Sequence, residues 1–262
     1  MQATATLVTY ARLPPAELYN VDEAGSLAGG AGRTLVLLNY PLAFGAIALA
    51  ALAGGARVLL AAAMLLCGAA AVPGVVEQSD LDARWVNAVS ALGVGLALAL
   101  TLAAVRRDGA AFVRRAHGDR LRLVVGIALL LLALPWVAAE AGFHFPGDVF
   151  LGEEVPAERD PGLAAVHLGF HHGTGGTLLA LTALVLSRAA RSVPLAAYLA
   201  ALFAYGVANA LQDGWNEQLW KRGTVDAHLP DVIRPEFSLG WLLILLTAAA
   251  VYALWFRPRR PG

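Results

Sequence analysis

Three of the chain's six histidines fall inside the stretch HLGFHHGTGG, residues 167–176. His167 and His171 are four residues apart. On a helix that spacing stacks two imidazoles on one face, about one turn apart, and offers two metal ligands from one rigid element. The same spacing recurs on either side: Glu140 and His144 precede the cluster, and Asn209, Asp213 and Glu217 follow it. Neutral imidazole with carboxylate suits Zn²⁺ first, and Fe or Mn next. A site with an open position would make a metal-bound water nucleophilic near neutral pH. In this reading His144, His167, His171 and Asp213 are ligands. Glu140 and Glu217 are candidate general bases. His172 and Asn209 are supporting hydrogen-bond partners, because His172 lies about 100° around an ideal helix from His171. Two opposed histidines, such as His144 and His171, could instead clamp a haem iron, a weaker variant of the same idea.

Elements able to hold these residues are constrained by composition. The chain is 58% hydrophobic and only 15% charged, with a mean hydropathy of +0.64. A soluble domain carries about a quarter charged residues, so the bilayer is the expected solvent. Seven apolar stretches suit helices crossing a hydrocarbon core about 30 Å thick. They lie near 34–54, 57–76, 84–105, 121–142, 163–187, 193–212 and 238–256. A β-barrel would need short alternating segments, whereas these runs are continuous. The fold class expected is therefore an all-α, seven-helix membrane bundle. An extracytoplasmic N-terminal segment covers 1–33, the transmembrane domain 34–257, with outer loops at 143–162 and 213–237, and a short tail 258–262. The first 33 residues are too polar and acidic for a cleavable signal, so the first span is expected to act as an uncleaved one.

Arginine placement sets the orientation. With seven spans, one face collects twelve arginines against two acids, Asp108 and Asp119, while the other has seven basic residues against seventeen acids. The positive face is expected to be cytoplasmic. That puts the N-terminus and five of the six histidines outside, in a vestibule that attracts cations. The ends of spans four, five and six then carry their polar stripes at one depth, and ionisable residues there face the bundle or a wet cavity rather than lipid. Gly169 and Gly173 form a small-x-x-x-small pair that lets helices approach closely. Asn39 and Asn87 lie near the same surface and could pair across helices. Trp215, Leu219 and Trp220 read as an aromatic belt at the headgroups, or as part of a loop capping the cavity.

Several functions are excluded. Cys67 is the only cysteine, so there is no internal disulfide and no cysteine metal site. Lys221 is the only lysine and is placed in a loop, which argues against a retinal Schiff base. No phosphate loop, dinucleotide fingerprint or nucleic-acid patch is present, and the arginines are accounted for by topology and anionic lipid. The Glu153-Glu154 pair misses the Glu-Glu-x-x-x-Arg of membrane prenyl-protein peptidases by one residue, at Arg159, and that resemblance is rejected. At the level of architecture a seven-helix bundle is similar to membrane hydrolases of the ceramidase and adiponectin-receptor type, whose Ser and His motif order is not present here.

Three readings stay open. The first is a metal-dependent, membrane-embedded hydrolase or oxidase-like enzyme, acting on a lipidic or small-molecule substrate. The second is a cation or proton transporter or channel. The third is a non-catalytic subunit of a membrane complex. All place the chain as a multi-pass protein in contact with the bilayer. Arginine and alanine usage suggests a bacterial plasma membrane.

Overall fold

A computed structural model of the chain describes residues 38–75, 84–109, 118–140, 155–156, 164–166, 171–221 and 223–258. Seven α-helices lie among them. Helix α1 (Ala43–Ala53) is led in by a π-turn, Leu38–Leu42, built around Pro41, which cannot donate to a regular helical ladder. Gly54 and Gly55 then turn the chain with φ of 62° and 111°, a left-handed region that glycine enters without steric cost. Next come α2 (Arg57–Gly68, closed by a 3₁₀ turn, Ala69–Ala71), α3 (Asn87–Asp108) and α4 (Asp119–Glu140). After them come α5 (His172–Leu186), α6 (Val193–Trp215, prolonged by a π-turn Asn216–Trp220) and α7 (Leu239–Val251, prolonged to Phe256). Each expected span corresponds to one helix.

Among the described residues, three helices are long and apolar enough to cross a membrane: Asn87–Asp108, Val193–Trp220 and Leu239–Phe256. The apolar helices Asn39–Ala53, Arg57–Ala71 and His172–Leu186 are shorter. At 1.5 Å per residue, the 15 residues of α5 reach about 22 Å, less than a full hydrocarbon core. The fifth expected span is corrected here. It does not begin as a helix near 163, because Ala164–Val166 is a strand (β2) paired antiparallel with Val155–Pro156 (β1). A short apolar run does not distinguish strand from helix.

Small residues hold the helices together. A Cβ on Gly93 of α3 would lie 2.5 Å from the Cys67 backbone nitrogen of α2, within a cluster of Ala43, Ala46, Ala63 and Ala97. The α5–α6 pair is as close: a Cβ on Gly176 would lie 2.5 Å from the Gly206 carbonyl oxygen, and the reverse is equally true. Backbone touches backbone here, the small-residue packing used where water cannot drive association. Large side chains turn outward instead. Leu102, Leu123, Val124, Leu131, Leu242 and Leu246 are all more than half exposed, whereas Asn39, Asn87, His171 and Asn209 are almost wholly buried. Apolar groups outside and polar groups inside suit a hydrocarbon solvent.

Hydrogen bonds and rings fix the helix ends. At one end, Asp119 and Arg122 of α4 meet Ser187 and Arg188 beyond α5, and the aromatic pair Trp255–Phe256 of α7. At the other end, Trp136 of α4 meets His171 at the start of α5, beside the last turns of α6. Asn39 donates to the Asn87 carbonyl at 3.1 Å, and the Asn87 amide donates to the Val75 carbonyl at 2.6 Å. These two asparagines therefore tie α1, the α2–α3 connection and α3 together.

Candidate metal centre

The last turns of α6 carry Asp213 and Glu217, both buried. The helix continues through the π-turn at 216–220, so both carboxylates lie on one continuous element. Inserted π-turns are frequent at functional sites. Opposite them α5 begins. His171 is the residue before the first helical turn, with extended backbone (φ −99°, ψ 144°), and its own side chain does not cap the helix. Asp213 does that across the interface: Gly173 N donates to Asp213 Oδ2 at 2.6 Å. The carboxylate thus sits at the positive end of the α5 dipole.

His171 points to the same place. Its Nδ1 lies 2.8 Å from Glu217 Oε2, and Lys221 Nζ donates to Glu217 Oε1 at 3.4 Å. The imidazole is almost completely buried and stacks on Trp136, with ring centroids 6.5 Å apart and planes 24° apart. A side chain on Gly173 would collide with the Trp136 ring, so glycine is what admits the tryptophan beside the histidine. One potential ligand atom from each of His171, Asp213 and Glu217 lies within 4.8 Å of the others. Ligand atoms bonded to one tetrahedral Zn²⁺ lie about 3.3–3.6 Å apart, given bonds of about 2.0–2.2 Å. The donor set, one imidazole and two carboxylates, is one that Zn²⁺, Fe²⁺ or Mn²⁺ accepts.

The electrostatics favour a cation. Among the described residues, two buried acids share the space with one imidazole and one ammonium group. They stand at the C-terminal end of α6, where the helix dipole disfavours negative charge and Lys221 closes the helix beside Glu217. A divalent ion between the acids would offset their mutual repulsion. Just inward, Asn209 Oδ1, Thr174 Oγ1 and Thr177 Oγ1 are buried without a hydrogen-bond partner. Such groups in native proteins are ordinarily met by water or an ion.

The expected ligands therefore divide. His171 and Asp213 come together, and Glu217, expected as a base, joins them. His144 and His167 lie outside the described residues, as does the side chain of Glu140, whose backbone ends α4. The shared helical face expected for His167 and His171 is corrected, because His171 is extended and precedes the helix. His172 is the first residue of α5 and half-buried. Asn209 is buried and donates to the Tyr205 carbonyl at 2.9 Å, one turn below the acids, rather than to the triad. Trp136, Gly173 and Lys221 complete the surroundings and are absent from the expected set. Lys221 had a signal in its four-residue spacing from Glu217, and Gly173 had one only as a packing residue.

The loop after α6 is anchored beside the site. Asn216 Nδ2 donates to the Leu229 carbonyl at 2.8 Å, and Leu229 N donates back to Asn216 Oδ1 at 2.9 Å. Trp215 Nε1 donates to the Ala227 carbonyl at 2.6 Å, and Trp220 meets His228 edge to face. The tryptophans expected at the headgroups thus also fasten this loop over the end of α6.

No protein-family model matches the chain, no curated protein matches it, and no solved structure matches it.

Proposed function

We propose that the protein is a multi-pass membrane enzyme whose His171, Asp213 and Glu217 hold a divalent transition metal, with Zn²⁺ first among the candidates. The observation that carries this is the buried convergence of three ligand-type atoms from two helix ends. The ion would supply Lewis acidity and a nucleophilic water near neutral pH. The protein's part is to fix the ligands: the α5 N-terminus holds Asp213, Trp136 holds the His171 ring, and Lys221 partly neutralises Glu217. Glu140, one turn beyond Trp136 on α4, is the candidate proton acceptor. The reaction class this supports is hydrolysis of a lipidic or small-molecule substrate. Metal analysis of purified protein tests it. Wild type should carry about one equivalent of metal per chain, and His171→Ala and Asp213→Asn should carry little. Acidification should strip the metal, because protons compete for the imidazole and carboxylates. Equal, near-zero metal in wild type and variants would sink the proposal.

A second reading is a proton or cation path, favoured by the unpartnered Asn209, Thr174 and Thr177 oxygens inward of the triad. Cation flux in liposomes separates the two: flux abolished by Asn209→Leu would support a path, and its absence the enzyme.

In the proposed topology the triad end is extracytoplasmic and the arginine end faces the cytoplasm, as the arginine bias supports. An impermeant maleimide should label Thr224→Cys in intact cells and Arg257→Cys only after lysis. The reverse pattern would invert the orientation.

A further inference from the structure

A cavity of about 880 Å³ is lined by the start of α1, the end of α2, residues 198–205 of α6, the start of α7 and the 233–235 turn. That volume is within the range of about 300–1,000 Å³ typical of small-molecule sites. We propose that it binds one acyl chain of an anionic membrane lipid, with Arg234 taking the headgroup phosphate. The inference is independent of the metal centre.

The walls point to hydrocarbon. Phe44, Leu202, Ile244 and Leu245 line the space directly. Its tyrosine hydroxyls are engaged with the protein: Tyr198 donates to the Phe44 carbonyl at 2.8 Å, Tyr205 to the Ile233 carbonyl at 2.9 Å, and Tyr40 is bonded to Tyr205. These residues therefore offer ring faces rather than free hydroxyls, and a tail of methylenes suits such walls. Location points to the same source. The cavity runs between α6 and α7, two of the three helices able to cross a membrane, and its α7 wall adjoins Leu242 and Leu246, which are exposed.

Polar recognition gathers at one edge. Arg234 is exposed, belongs to the turn that lines the cavity, and makes no ion pair among the described residues. A guanidinium suits bidentate binding of phosphate. Trp241, in the first turn of α7, also lines the cavity. Indoles at this level of a membrane helix commonly meet the polar ends of lipids.

Native mass spectrometry of the full chain in mild detergent, titrated with phosphatidylglycerol or with diacylglycerol, which has the chains but no phosphate, tests the proposal. Wild type should retain phosphatidylglycerol about tenfold better, the effect of roughly one charge-assisted contact. Arg234→Gln should abolish the preference, and Ala201→Trp, which narrows the cavity at its α6 wall, should weaken retention of both. Equal retention of the two lipids by wild type would overturn the headgroup assignment, and undiminished retention by Ala201→Trp would overturn the site. Should Ala201→Trp fail to fold, phosphatidylglycerol with brominated chains decides. It should quench wild-type tryptophan fluorescence more than that of Trp241→Phe, and equal quenching would overturn the proposal.

Discussion

The two ends of α5 place buried charge in opposite settings. At the C-terminal end, Arg122 is buried, donates to Ser187 Oγ at 3.0 Å, and lies over the rings of Trp255 and Phe256 at 5.4 and 5.6 Å. Arg188 grips both oxygens of Asp119 at 3.0 and 3.1 Å. Cations at a helix C-terminus agree with the dipole, and each charge there has an acceptor, an acid or a ring. At the N-terminal end, two buried acids of α6, met among the described residues by one imidazole, Lys221 and the start of α5, stand where the α6 dipole opposes them. One end agrees with the helix dipoles around it, and the other agrees with α5 while opposing α6. Proteins break such rules mainly at functional sites. Buried charge alone therefore does not mark a site; charge arranged against local stability does.

The spine joining the two ends offers the largest effect. Gly206→Ala sets a Cβ 2.5 Å from the Gly176 carbonyl oxygen, and backbone cannot rotate away as a side chain can. Overpacking of this kind costs about 1–3 kcal/mol, so thermal melts in detergent should fall clearly and both ends should loosen. Gly95→Ala, with nothing within 4 Å of the new Cβ, is the control and should stay within about 0.5 kcal/mol. A Gly206→Ala melt as stable as the control would refute the close approach.

Asp213→Asn comes next and separates the ends. An amide oxygen can still accept from Gly173 N, so α5 keeps its cap while the site loses a charge. Metal affinity should drop by at least about tenfold, roughly 1.4 kcal/mol, with the melt little changed. Arg122→Gln should do the reverse: metal content unchanged, and stability lower by about 1 kcal/mol through the lost hydrogen bond and ring contacts. If Arg122→Gln emptied the site, the two ends would not be separable.

Much of this division was legible in the sequence. The helices follow from runs of apolar residues, and the acidic and basic ends follow from how charges alternate between those runs. Asp213 and Glu217 were legible because four-residue spacing on a continuous helix puts them on one side. His171 was legible as a residue but not as a geometry. His171 is extended rather than helical, and it reaches Glu217 from the residue preceding α5. Gly173 looked like packing alone, yet it also admits Trp136 and caps α5 through Asp213. Such contacts depend on which helices become neighbours and how closely they approach, which single-chain periodicity does not encode.

The smallest effect belongs to the Arg188–Asp119 pair, and it limits the comparison from the other side. Its geometry is good, but the side chains are 25% and 30% exposed, so water and salt screen the attraction. Partly exposed pairs contribute about 0.2–1 kcal/mol. Arg188→Gln should therefore lower the melt only slightly at low salt, and the difference should shrink as salt rises. Metal content should not move. Asp119 would keep Arg122 at 3.8 Å as a partner, which reduces the loss further. A large, salt-insensitive destabilisation would mean that this end is as dry as the triad end. The contrast between the two would then rest on the pairing of charges alone, not on their exposure.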